Sequence, residues 1–218
     1  MPPGMRPRNG LRAVLFDWDG TLVDSAEKSY RCYRRVFARF GIDYDHALFE
    51  RTYAPDWYRT YEDLGLPRER WREADAHWLE CYAGEPSRLL PGAAEALEAF
   101  AASGLVQGLV SSGDPARVRG EIESLGVARY FATVVCGGET AGRKPHPEPL
   151  LLALGRIAVG PEQAAYVGDS PEDVLMAKAA GAYAIGIPGG FPNRQALAAA
   201  DPHLLAPSLD EAVSALVG

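Results

Sequence analysis

Four apolar residues, Ala13-Val14-Leu15-Phe16, run straight into Asp17-Trp18-Asp19-Gly20, and few folds accommodate that junction. An unbroken apolar run with branched and aromatic side chains marks a strand buried on both faces, as in a parallel sheet. Its end is acidic. Asp17 and Asp19 are two apart, so while the chain stays extended both carboxylates point to one side and Trp18 to the other. Like charges that close need a cation, a shared proton or open water, and Gly20 lets the backbone bend at once. One reading is a carboxylate nucleophile beside a carboxylate acid/base, with a hard cation such as Mg2+ between them and a substrate. The other is a solvated turn between strand and helix. An EF-hand loop is excluded, since its glycine stands at the sixth position and Gly20 is at the fourth.

Downstream, Ser25 is placed to cap a helix from Ala26 to Phe40, closed by Gly41. Helical segments follow at Asp45 to Tyr53, Trp57 to Leu64 and Pro67 to Ala83, divided by Pro55, Gly65 and Pro67. Residues 25–90 hold 13 of the 21 aromatics and 10 of the 19 arginines, and none of them reads as a strand. This is the composition of a separate helical insert, with Gly84-Glu85-Pro86-Ser87 as its return hinge. From Leu90 the pattern alternates. Strands are expected at 105–110, 133–136, 164–167 and 183–187, with a short one near His203. Helices are expected at 92–102, 115–125, 147–157, 171–180 and 210–217. The whole predicts an α/β protein: a doubly wound parallel sheet forming a Rossmann-like core (1–24 and 88–218), with a small helical cap domain (25–87) inserted after the first strand. In such sheets ligands bind beyond the carboxyl ends of the strands.

A net charge of -7, with no basic stripe to offset it, argues against nucleic acid as a partner. No apolar run is long enough to span a membrane. Cys32, Cys81 and Cys136 are far apart and show no metal spacing, which fits apolar fillers in a reducing cytoplasm. Residues 1–10, rich in Pro, Gly and Arg, lack the apolar stretch of a signal peptide and read as a loose leader. The expected partner is therefore a small molecule, bound by a monomer or homodimer.

Asp17, Ser111, Lys144 and Asp169 all fall past predicted strand ends. Ser111 and Ser112 offer hydroxyls to a phosphate, or serve the turn; Ser112 or Asp114 suits the cap of the helix opening at Pro115. Lys144 is one of three lysines against 19 arginines, which fits a need for a compact charge, or else a solvated loop lysine. The loop Gly137 to Lys144 half resembles a P-loop but fails at Arg143 and Pro145. Asp169 suits metal ligation at the rim. Ser170-Pro171-Glu172-Asp173 reads as an N-cap with an acid at the third helical position, and Asp173 shares a helix face with Asp169. The four histidines have no metal or triad spacing, and His146, between two prolines, belongs to a turn.

Asp17-Trp18-Asp19-Gly20-Thr21-Leu22-Val23-Asp24, Ser111, Lys144-Pro145 and Gly168-Asp169-Ser170-Pro171-Glu172-Asp173 resemble, in order, the motifs of the haloacid dehalogenase-like superfamily. The insert resembles that family's C1 cap. The run Gly142-Arg143-Lys144-Pro145-His146-Pro147-Glu148-Pro149 resembles its phosphoglycolate phosphatase/β-phosphoglucomutase branch. The resemblance implies a Mg2+-dependent phosphatase in which Asp17 takes up the phosphoryl group and Asp19 protonates the leaving group. It places the metal on Asp17, the Asp19 backbone carbonyl and Asp169, with Asp173 nearby, and the phosphoryl oxygens on Ser111 and Lys144. Dehalogenases lack an acid at the Asp19 position. Phosphonoacetaldehyde hydrolases need a later cap lysine than Lys28. A sugar phosphomutase is the enzymatic alternative, and a phospho-receiver domain the remote one. For selecting the leaving group, Arg31, Arg34 and Arg35 on the first cap helix are the candidates, because guanidinium forks suit a carboxylate or second phosphate.

Overall fold

The computed structural model describes residues 10–54 and 56–218; the leader at 1–9 and the break at Pro55 lie outside the described residues. Six parallel strands form one sheet: β1 (Ala13–Phe16), β2 (Val106–Val110), β3 (Phe131–Val135), β4 (Ala164–Gly168), β5 (Tyr183–Gly186) and β6 (Leu204–Leu205). Their order is β3-β2-β1-β4-β5-β6. β1 is central, paired with β2 on one side and β4 on the other. The chain winds outward in both directions from it, so a crevice opens at the carboxyl end of β1, where Asp17 stands.

The period of two in β1 divides the core. Val14 and Phe16 join a cluster on one face with helices α5 (Ala93–Ala102), α6 (Pro115–Ser124) and α10 (Leu209–Val217). Ala13 and Leu15 join the opposite cluster, against α7 (Glu148–Arg156), α8 (Pro171–Ala180) and α9 (Arg194–Ala199). All four side chains are fully buried, which fixes the strand's register and hence the aim of the two aspartates. Among the described residues no helix is long and apolar enough to cross a membrane.

Between β1 and α5 lie the cap helices: α1 (Ala26–Arg39), α2 (His46–Thr52), α3 (Trp57–Asp63) and α4 (Trp71–Ala83). They enclose their own cluster, built around Tyr33, Phe37, Tyr44 and Tyr61. The outgoing and returning chains run side by side, with Asp24 N–H donating to Arg88 O and Leu90 N–H to Leu22 O at 2.9 Å each. Two local expectations fail. Ser25 precedes α1, but its backbone (φ -113, ψ -9) is already near-helical and its hydroxyl caps nothing. α9 was not anticipated, because it follows a Pro/Gly-rich loop and is only six residues long. Phe191, in that loop, packs into the cap cluster and stacks on Tyr53 at 4.6 Å.

Candidate active site

The carboxyl ends of β1, β2 and β4 bring the candidates around one cavity of about 380 Å³, closed above by the cap. Lys144 reaches in from the loop after β3. Its ammonium donates to Asp17 Oδ1 at 2.6 Å and to Asp173 Oδ1 at 2.7 Å. Asp173 is the third residue of α8 and completes a capping box with Ser170. Its Oδ1 also accepts from the Tyr166 hydroxyl at 3.3 Å, and its Oδ2 from Ser170 N–H and Oγ–H. Asp173 is thereby committed to holding Lys144 and the start of α8. Ser111 is buried at the end of β2, with its hydroxyl accepting from Gly113 N–H at 3.0 Å, and Ser112 lines the cavity beside it. The cap of α6 is Asp114, not Ser112.

One cation faces three carboxylates here. Ligand atoms of Asp17, Asp169 and Asp173 lie within 4.8 Å of one another. Asp169 Oδ2 is buried without any hydrogen-bond partner. Gly20 (φ +79) and Gly189 line the place it occupies, where a Cβ on either would collide with it. Burial pushes Asp17 up to about 7, with Lys144 opposing and Asp173 adding to the rise. Burial, then Asp17 and Asp173, raise Asp169 well above the usual carboxylate range. Burial works to lower Lys144, but its two aspartates outweigh that and the net shift is upward. An orphan buried carboxylate oxygen amid excess negative charge is a site that a hard divalent cation fits.

Asp19 faces the same cavity from different surroundings. The Arg117 guanidinium holds both of its oxygens, Nη1 to Oδ1 at 3.1 Å and Nη2 to Oδ2 at 2.6 Å. Tyr82 of the cap adds a hydroxyl contact to Oδ1 at 3.4 Å. Arg117 Nη1 also donates to Glu121 Oε2 at 2.9 Å, one helical turn on, and the same oxygen accepts from Trp18 Nε1 at 2.9 Å. Trp18 is fully buried on the face away from the aspartates, as the strand period requires. Glu121 then bonds Ser87 in the return hinge, which accepts from Lys28 Nζ of α1 at 2.8 Å. A polar chain thus runs from Asp19 through the core helix to both cap hinges.

Arg31, Arg34 and Arg35 are not brought to the cavity. Arg31 forks onto Glu85 (2.6 Å from Nη2), Arg35 lies 3.7 Å from the same carboxylate, and Arg34 is exposed. They point away because the buried face of α1 carries Tyr30, Tyr33, Val36 and Phe37. Among the described residues, the cap lines the cavity with aromatics and two acids, Asp56 and Asp75, and with no cation. Arg117 was missed by sequence reasoning. A signal was there: it is the third residue of a helix opened by Asp114-Pro115, and helical side chains lean back toward the amino terminus, here toward the sheet rim. His146 is exposed in its turn and does not line the cavity.

A family model for haloacid dehalogenase-like hydrolases matches residues 14–187. The phosphoglycolate phosphatase of Salmonella paratyphi A is 34% identical over 242 aligned positions, covering 97% of this chain and 95% of the relative. Among solved structures, a predicted phosphoglycolate phosphatase from Haemophilus somnus superposes with a TM-score of 0.84 at 22% identity, over 95% of this chain and 99% of that one. A putative β-phosphoglucomutase from Thermotoga maritima gives 0.74 at 27%, over 94% and 98%. The chain therefore belongs to the haloacid dehalogenase-like hydrolases, in the branch that resembles the phosphoglycolate phosphatases and β-phosphoglucomutases.

Proposed function

We propose that this phosphatase hydrolyses a small phosphomonoester of the phosphoglycolate or sugar-phosphate kind through an aspartyl-phosphate on Asp17. The observation that supports it is the pair of carboxylates facing one cavity, Asp17 against Lys144 and Asp19 beyond its reach on Arg117. An Asp17 oxygen bonds to phosphorus as the ester P–O bond breaks, and Asp19 gives its proton to the departing oxygen. Asp19 then takes a proton from water as that water's oxygen bonds to phosphorus. The Asp17–phosphorus bond breaks, and inorganic phosphate leaves. Lys144, the Ser111 hydroxyl and the Ser112 hydroxyl hold phosphoryl oxygens. Asp17 attacks only as the anion, the form that Lys144 favours against burial.

Asp17, the Asp19 backbone carbonyl and Asp169 would hold Mg2+, with Asp173 orienting Lys144 beside them. The ion would supply charge neutralisation for the phosphoryl group, which suits a transfer that depends mainly on positioning. The substrate reading draws on the Salmonella relative and on a cavity of about 380 Å³ between the core and the cap, which holds a small phosphomonoester. Phosphate release across a panel of small phosphomonoesters, with and without Mg2+, tests it. Release from phosphoglycolate or a sugar phosphate is expected. Absence of release from every monoester, or transfer back to sugar in place of release, would overturn it.

A further inference from the structure

Both oxygens of Asp19 accept from one guanidinium, and Oδ1 from Tyr82 as well, so a group that draws Arg117 away would free Asp19 for a leaving group. Its exchange partner has to come from somewhere. Arg117 is only 10% exposed, and removing its anion would leave a buried charge unpaired, which is costly. Another anion can take that place without such a penalty. The guanidinium is already fixed for it. Its carbon lies 4.8 Å from the Tyr82 ring centroid and 5.6 Å from that of Trp78, and Nη1 stays tied to Glu121. Its Nε is buried with no acceptor at all, so the group still has an unused donor. Gly113 leaves it room beside Ser111, since a side chain there would meet Nη2.

Besides Arg117, the cations lining the cavity among the described residues are Lys144 and Arg143, the latter 5.6 Å over the Tyr58 ring. Lys144 is held between Asp17 and Asp173, Arg143 is exposed at the rim, and the cap contributes none. Asp75, the cap acid deepest among the aromatics, is engaged by Trp57, Tyr58 and Tyr61.

We propose that Arg117 is the receptor for an anionic group, a carboxylate or second phosphate, on the leaving alcohol, and that this group takes the guanidinium by displacing Asp19. Arg117 thus sets specificity and ties the release of Asp19 to the arrival of a substrate with an anionic group besides its phosphate. The inference rests on the phosphatase reading above. It deepens that reading by choosing anionic over polyhydroxylated neutral leaving groups.

The test compares phosphoglycolate with 2-hydroxyethyl phosphate, equal in size but lacking the carboxylate, for wild type, Arg117→Met and Arg117→Lys. Wild type should prefer phosphoglycolate. Arg117→Met should lower kcat/KM for phosphoglycolate while raising it for the neutral ester, reducing their ratio about 10²-fold, the scale of losing a desolvated charge pair. Arg117→Lys keeps the charge but not the fork and should reduce the ratio about tenfold, so the test survives misfolding of the methionine variant. Equal losses on both esters in the folded variants, or a wild type without preference, would overturn the proposal. A second readout needs no turnover: glycolate should change the tryptophan fluorescence of wild type saturably, through Trp78, and fail to do so in either variant. If no ester is hydrolysed but this binding depends on Arg117, the receptor stands and the phosphatase reading falls. If esters are hydrolysed and glycolate binds the variants as well as wild type, the receptor falls alone.

Discussion

Asp17 and Asp19, two residues apart just past β1, line one cavity and meet opposite chemistry. Asp17 is buried, shares one lysine with a second carboxylate and sits against a third. Desolvation dominates there, and the carboxyl is pushed up to about 7. Asp19 is a quarter exposed and lies in a bidentate fork, backed by a polar chain that ends in the cap hinges. Residue type and strand position are alike, so the division of labour comes from partners. Around Asp17 stand Lys144 from the loop after β3, Asp169 just past β4 and Asp173 in the first turn of α8, whereas the partners of Asp19 stand on α6 and on the cap. If Asp17 takes the phosphoryl group and Asp19 serves the leaving group, as proposed, the first role is set at the rim of the sheet and the second by how the cap seats on it.

The largest expected effect isolates the Asp17 half. Asp17→Asn keeps the shape and the Lys144–Asp173 bond but removes the nucleophile, so phosphate release should fall by at least about 10³-fold. Circular dichroism should be unchanged. Easily measured turnover in the folded variant would assign the attack elsewhere. Next comes the ion. Chelation should abolish turnover and Mg2+ restore it, while Ca2+, which relaxes octahedral geometry, should restore little. Asp169→Asn should weaken Mg2+ binding about 10- to 100-fold, read by titrating activity against Mg2+.

pH should also act on the metal-free fold through Asp17 and Asp169. Asp17 and Asp169 have folded pKa values raised above their unfolded ones. Each folded group holds its proton more tightly, so its contribution is fully present below about pH 4 and is lost as pH climbs through the folded value. For Asp17 that window runs from about 4 to about 7; the loss from Asp169 extends higher. The metal-free protein should therefore lose several degrees of melting temperature between about pH 5 and pH 8, at about 2–4 °C per kcal/mol for a chain this size. Asp17→Asn should flatten part of that slope, and Mg2+ should reverse it at pH 8. A slope identical in wild type and Asp17→Asn would mean that Asp17 is solvated in the folded protein.

How much was legible follows the same division. The parallel doubly wound sheet, the placing of Asp17 and Asp19 at one cavity, the inward position of Trp18 and the capping box at Ser170 were readable, from strand-helix alternation and from spacing within a few residues. The union of Asp17, Lys144, Asp169 and Asp173 was readable because parallel strands deliver their ends to one rim. Arg117 was missed although its place in the first turn after Asp114-Pro115 aims it at the rim, because an arginine in a helix otherwise looks the same whether it faces water or a buried aspartate. The direction of the α1 arginines was not readable either. Alternating arginines and aromatics on that helix make the aromatic face its buried one, and this became clear only against α4 and its Trp78 and Tyr82.

The smallest expected effect tests that correction. If selection of the leaving group lives on Arg117, then Arg31→Ala, Arg34→Ala and Arg35→Ala should each leave the ranking of substrates unchanged. Arg34 is exposed, and replacing it should do nothing measurable to kcat/KM. Arg31 differs slightly: its fork onto Glu85 ties α1 to the return hinge, and both partners keep some exposure, 42% and 21%. Water and salt screen such a pair, so its loss should cost about 0.2–1 kcal/mol of stability. A looser hinge would act on all substrates together, through the rate of cap movement, and not on their order. A reordering of phosphoglycolate against 2-hydroxyethyl phosphate in any of these three variants would return specificity to the cap and separate Arg117 from it.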